Sequence, residues 1–176
     1  MDMALTETRP DSVRLADEAF HRVLEDSAPA MRGLAIHMLG APEDAADALQ
    51  EAWLRAWRSR AAVRDPAALR GWLRAIVARE CLRAMRWRSL RRWLPFGAAT
   101  PELAAPETPD LVDAARIRAL VARLPPQQRA CFALRFGEGL TTTEIGEALN
   151  MRPDTVKTHL SRALTTVRRR LEARHG

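Results

Sequence analysis

The chain contains no tyrosine, a single lysine (Lys157), two cysteines and few isoleucines. Each shortage excludes something. With no Tyr and few Phe or Ile, the apolar 47% of the chain is mostly Ala and Leu, residues that lose little freedom in a helix, whereas β-branched and aromatic residues build strands. No segment alternates apolar and polar long enough to argue for a strand. No apolar run approaches the roughly 20 residues needed to cross a bilayer. Met1 to Asp11 has neither a basic start nor an apolar stretch, so no secretory signal is expected and the expected compartment is the cytoplasm. Cys81 and Cys131 lie far apart, in neither CxxC nor Cys/His spacing, and read as two buried thiols rather than a redox or metal pair. No Gly-rich phosphate loop, metal-ligand cluster or nucleophile with a neighbouring base is evident, and His21, His37, His159 and His175 form no constellation. Neither an enzyme nor a cofactor is expected.

What is present is arginine. The net charge is +6 and the isoelectric point about 10.9, which favours polyanions, nucleic acid first among them. The charge is also unevenly placed. Arg60 to Arg92 holds ten arginines against two acids, Asp65 and Glu80. From Pro95 to Asp113 come four prolines, four acids and no arginine, the composition of a semi-extended linker. The expected organisation is all-α: a helical domain over 11–94, a linker over 95–111 and a second helical domain over 112–174.

In the first half, Leu15, Ala19, Phe20, Val23 and Leu24 fall at helical spacing. A second helix is expected from Pro29 to Leu39, stopped by Gly40, and a third from Pro42, with Glu43 and Asp44 complementing its dipole. A fourth, from near Pro66, turns Leu69, Leu73, Ile76, Val77 and Leu82 inward. Trp53, Trp57 and Trp72 read first as core. In the second half, helices are expected over 111–124 and from Pro125-Pro126 through Phe136.

The ending is the most informative stretch. Thr141 and Glu144 fit a capping box, Asn150 suits a left-handed helix stop, and Pro153 suits a first turn. Val156, Leu160, Ala163, Leu164, Val167 and Leu171 make one apolar stripe. A short helix, a tight turn and a basic amphipathic helix form the helix-turn-helix layout, whose second helix enters the major groove. Arg152, Asp154, Thr155, Lys157, Thr158, His159, Ser161 and Arg162 lie on or near its leading face. Pattern alone also allows a helical hairpin with a solvated basic face.

Three stretches carry a resemblance. Leu124-Pro-Pro-Gln-Gln-Arg129, Gly139-Leu140-Thr-Thr-Thr-Glu144-Ile-Gly-Glu-Ala-Leu149 and Thr155-Val-Lys-Thr-His-Leu-Ser-Arg-Ala163 resemble region 4 of extracytoplasmic-function (ECF) sigma factors. In that family the module binds the minus-thirty-five promoter element and the polymerase β flap. Here Arg152 stands where a capping Ser is usual, and His159 where Arg is common. Glu43 to Trp57 resembles region 2.1–2.2, which docks on the β′ clamp helices; the resemblance implies that Asp44, Asp47, Gln50, Glu51 and Leu54 form that contact. From the residues alone, the same strip reads first as a plain amphipathic helix with a solvated acidic face.

Leu69 to Arg88 resembles region 2.3–2.4, which captures the opened minus-ten element. Such a task needs cations for phosphates and flat side chains for unpaired bases. Arg74, Arg79, Arg83, Arg86 and Arg88, with Arg91 and Arg92, can supply the cations. Trp87 and Trp93 can stack, or pack. Arg79 and Arg83 replace the Asn and Asp common in the family. The resemblance thus implies a non-enzymatic subunit that binds core RNA polymerase and promoter DNA and is restrained by an anti-sigma factor. A conventional helix-turn-helix regulator, dimeric and independent of polymerase, is the alternative; a basic adaptor or an RNA binder fits less well.

Overall fold

The computed structural model describes residues 11–63, 65–91 and 109–173. Among them are seven α-helices and no strand. The chain is all-α, as its Ala- and Leu-rich vocabulary predicts.

α1 runs unbroken over Asp11–Leu39 with Pro29 inside it. The sequence suggested two helices meeting at that proline. An interior proline removes one backbone hydrogen bond and costs ~3 kcal/mol, yet Phe20 on one side and Met31, Leu34, Ala35 and Met38 on the other are all buried. Packing of both segments against α2 and α3 overrides the local break. The helix stops at Gly40, whose φ of +81° is left-handed and whose N–H donates to Ile36 O at 2.7 Å.

α2 (Pro42–Ser59) buries Ala45, Ala48, Ala52 and Ala56. These are spaced so that small side chains line one face and the neighbouring helices approach closely. Two 3₁₀ turns, Arg60–Ala62 and Pro66–Ala68, lead into α3 (Leu69–Arg91). α3 is the central strut. Leu69, Leu73, Ile76, Val77, Ala78, Cys81, Leu82 and Met85 are buried, and α1, α2, α5 and α6 all pack on it. A helix buried on most sides needs apolar residues on most sides.

The second half comprises α4 (Pro109–Ala122), α5 (Pro126–Phe132), a wide π-type turn at Ala133–Gly137, α6 (Thr142–Leu149) and α7 (Pro153–Glu172). The helix expected through Phe136 therefore underwinds into the wider turn from Ala133 onward. The main hydrophobic cluster draws on both halves: Leu34, Met38, Leu73 and Cys81 from the first join Cys131, Leu134, Ile145 and Val156 from the second. A smaller cluster of Val121, Leu124, Ala163 and Val167 belongs to the second half alone. The linker expected over 95–111 lies chiefly outside the described residues.

Trp53 and Trp72 pack, half-buried, against the main cluster. Trp57, read as core, is instead 39% exposed. It lies at the rim of α2, 5.1 Å from the His21 ring, with the Arg60 guanidinium 3.9 Å from its centroid. Cys81 and Cys131 are fully buried and free. Burial pushes their thiols up to about 12 and about 11, so neither is reactive where it sits.

Candidate nucleic-acid interface

α6 begins with the capping box read from the sequence. The Glu144 N–H donates to Thr141 Oγ1 at 3.2 Å, and the Thr141 N–H donates to Glu144 Oε2 at 2.7 Å. The Thr141 N–H and then the Thr141 hydroxyl, which donates to the same Oε2 at 2.7 Å, hold the Glu144 carboxyl below its usual range. α6 ends at Asn150, which adopts φ 55° and ψ 55°, a left-handed stop. The turn is tight: a Cβ at Gly146 would lie 2.6 Å from Met151 O, so no larger residue fits there without backbone movement.

α7 then presents two faces. Val156, Leu160, Ala163 and Val167 are buried. Arg152, Asp154, Thr155, Lys157, Thr158, Ser161 and Arg162 are exposed. Arg152 occupies the N-cap and makes no side-chain cap bond. Lys157 Nζ reaches Asp154 Oδ1 at 3.0 Å, and the Thr158 hydroxyl donates to Asp154 O at 2.9 Å, which fixes the first turns. His159 differs from its neighbours. It is half-buried with Nδ1 unpartnered, and burial first, then the Arg162 charge, hold it below the ordinary histidine value. Leu164, placed in the inward stripe by its spacing, is 42% exposed. It lines a cleft of about 470 Å³ with Arg135, Lys157, Ser161 and Arg168.

The cations of α3 do not share one face. At about 100° per residue, Arg79, Arg83, Arg86 and Trp87 project on one side, and Arg74 and Arg88 on the opposite side. The first four are all exposed, Trp87 at 60%. The other two are held in ion pairs, Arg74 with Glu138 at 3.3 Å and Arg88 with Asp44 at 2.6 Å. Beside the exposed set lies a pocket of about 240 Å³ lined by Arg55, Ser59, Trp72, Ile76, Arg79 and Glu80. Glu80 is buried and bridges Arg55 at 2.7 Å and Arg83 at 3.4 Å. Sequence reasoning missed Arg55 and Glu80; the available signal was that Glu80 is one of only two acids in the arginine run. Arg92 and Trp93 lie outside the described residues, and nothing is described of the Arg91 side chain.

On α2, Asp47, Gln50, Glu51 and Leu54 are exposed together on the side away from the buried alanines. Asp44 is instead held by Arg88 at 2.6 Å. Among the described residues no three His, Cys, Asp or Glu side chains could hold a metal, and no helix is long and apolar enough to cross a membrane.

Comparison with known proteins decides the family. Residues 23–92 match Sigma-70 region 2, and residues 114–170 match Sigma-70, region 4. The chain is 31% identical over 172 residues to the ECF RNA polymerase sigma factor SigL of Mycobacterium tuberculosis, across 93% of this chain and 96% of SigL. The chain belongs to the ECF sigma factors. It is 32% identical over 129 residues to SigM of the same species, covering 73% of this chain but only 65% of SigM; the chain thus spans less than two thirds of that relative. The fold is that of the sigma factor RpoE solved in complex with the anti-sigma factor NepR from Bartonella quintana, with a TM-score of 0.67 and 22% identity over 87% of this chain and 96% of that one.

Proposed function

We propose that this ECF sigma factor is a non-enzymatic cytoplasmic subunit that binds core RNA polymerase and directs it to promoters. Its working units are region 2 over 11–94 and region 4 over 112–174, joined by 95–111. One observation carries the reading: a capped helix-turn-helix and a separate face of arginines with an exposed tryptophan occur on one chain. A duplex reader alone needs only the first.

In region 4 the exposed start of α7 enters the major groove of the minus-thirty-five element. Arg152, Lys157 and Arg162 supply cationic donors, and Thr155, Thr158 and Ser161 supply hydroxyls for base edges or phosphates. Asp154 orients Lys157, and His159 supports the helix from its half-buried position. In region 2, Arg79, Arg83 and Arg86 hold the backbone of the melted minus-ten strand while Trp87 stacks on an unpaired base. The adjacent pocket, with the Trp72 ring and the polar groups of Arg79 and Glu80, takes an extruded base; contacts there offset a few kcal/mol of unstacking. Arg74 and Arg88 reach DNA only after releasing Glu138 and Asp44.

The acidic-polar strip of Asp47, Gln50, Glu51 and Leu54 suits an arginine-bearing helix of the polymerase clamp, with region 4 on the β flap. An anti-sigma factor is the expected restraining partner. The experiment is competition for core enzyme. The Asp47→Ala, Gln50→Ala double variant should keep its helical circular dichroism yet lose at least about tenfold in affinity for core, ~1.4 kcal/mol. Undiminished competition by the folded variant would remove this strip from the docking surface.

A further inference from the structure

An acid on a surface meant for phosphates works against binding unless it has a second task. Among the described residues Glu80 is the only buried carboxylate, at 7% exposure, and it lies on α3 beside Arg79 and one turn from Arg83. A buried charge has to be paired, and here the pairing joins two helices. Oε1 accepts from Arg55 Nε of α2 at 2.7 Å, and Oε2 from Arg83 Nη1 of α3 at 3.4 Å. Neither arginine is buried by this, since their side chains stay 53% and 54% exposed. An arginine carries several N–H donors in a rigid planar fork. Fixing one nitrogen of each therefore restrains both forks and leaves most of their donors for another acceptor.

The tethered forks stand at the pocket already described. Arg55, Arg79 and Glu80 line it with the Ser59 hydroxyl and the Trp72 ring, and Arg83 stands one turn beyond Arg79 on the same side of α3. The mouth thus carries three arginines against one acid. A flat base seated on Trp72 leaves its own phosphates at that mouth, where planar forks match phosphate oxygens in pairs. An untethered arginine loses its rotamer freedom on binding, which weakens affinity by roughly two- to tenfold per side chain. Held by Glu80, Arg55 and Arg83 are ordered before the strand arrives.

We propose that Glu80 is a positioning residue that presets Arg55 and Arg83 as a clamp for the backbone phosphates of the single strand, and that Arg55 is itself a nucleic-acid contact. This rests on the region 2 reading above. It extends the strand-binding surface from α3 onto α2, so that α2 meets the polymerase through Asp47, Gln50, Glu51 and Leu54 and the strand through Arg55.

The sign of a charge change tests it. The full-length protein is titrated with a short fluorescein-labelled single-stranded DNA of mixed sequence over a range of salt, with helical circular dichroism as the control for folding. Glu80→Gln makes the face more positive, so a bystander carboxylate predicts tighter binding. Positioning predicts binding weaker by about fivefold with the salt dependence little changed, because both arginines keep their charge. Arg55→Ala should weaken binding and lower the slope of log affinity against log salt by about 0.7, the share of one phosphate on a single strand. With Arg55→Ala and Arg83→Ala already in place, Glu80→Gln should no longer weaken binding; a carboxylate needed only for the fold would weaken it equally there. If Glu80→Gln does not keep its helical signal, Glu80→Asp takes its place. That variant keeps the charge and shortens the reach by one methylene, so positioning predicts a similar loss and a bystander predicts none. Tighter or unchanged binding by the folded Glu80 variant, an unchanged slope in Arg55→Ala, or equal losses in both backgrounds overturns the proposal. Binding to core polymerase separates the clamp from the reading beneath it. A wild type that shows these strand effects without binding core keeps the clamp and sinks the sigma role; one that binds core and shows none of them keeps the role and loses the clamp.

Discussion

Gly146 shows how much one residue can decide. It lies where α6 comes closest to the turn, with Met151 N–H donating to its carbonyl at 2.8 Å, and an added Cβ would meet Met151 O at 2.6 Å. Gly146→Ala should therefore destabilise the protein by ~1–3 kcal/mol and weaken upstream duplex binding by re-aiming α7; thermal denaturation and a duplex titration read the two effects. The capping box gives a pH signature. Glu144 is held below 4.5 in the folded protein, so its unfolded form binds protons more readily. Its contribution is present above pH 4.5 and is lost as pH falls through the folded value. His159 is likewise held below 6.5, so its charging favours unfolding as pH falls below 6.5. Stability measured by denaturant from pH 7.5 to 3.5 should decline on acidification, and His159→Asn and Thr141→Ala should each flatten its own part of the curve. A stability that rises towards acid would contradict both assignments.

At the scale of the element, the proposed recognition is divided between α3 and α7. Trp87→Ala should weaken binding of single-stranded minus-ten DNA by ~1–3 kcal/mol while leaving duplex binding by α7 unchanged. Arg162→Ala should do the reverse, by ~1–3 kcal/mol if its contact is bidentate. Paired titrations of both variants with both probes would reveal any crossing of effects. The two helices also differ in how far the sequence disclosed them. α7 carries one apolar stripe and is bounded by Thr141, Glu144, Asn150 and Pro153, whose effects are local; its start, stop and outward face followed from the residues. α3 is apolar on most sides, so no stripe fixes its rotation. A run of arginines could not say that Arg79, Arg83 and Arg86 face outward while Arg74 and Arg88 turn to Glu138 and Asp44. Pro29 misled for the opposite reason: a correct local rule was overridden by contacts made with α2 and α3.

For the whole molecule, the sequence disclosed the two halves but not their joining. The contrast between an arginine-rich stretch and an acidic, proline-rich one is compositional and visible in a single chain. The pairing of Arg74 with Glu138, or of Arg79 with Ala148 O, spans more than 60 residues of sequence and has no local signal. Nor does the shared core, since Leu34, Cys81 and Cys131 are ordinary apolar positions until their neighbours are known. That joining bears on how the protein would be studied: isolated halves would expose apolar surface that the intact chain covers, so the full chain is the right object for functional work. The measurement that tests the central claim most directly adds the purified full-length protein to sigma-free bacterial core polymerase on genomic DNA and maps transcript starts. The sigma role predicts discrete starts, each preceded by a shared pair of upstream elements. DNA binding without core, together with no defined starts in its presence, would contradict it and favour a conventional regulator.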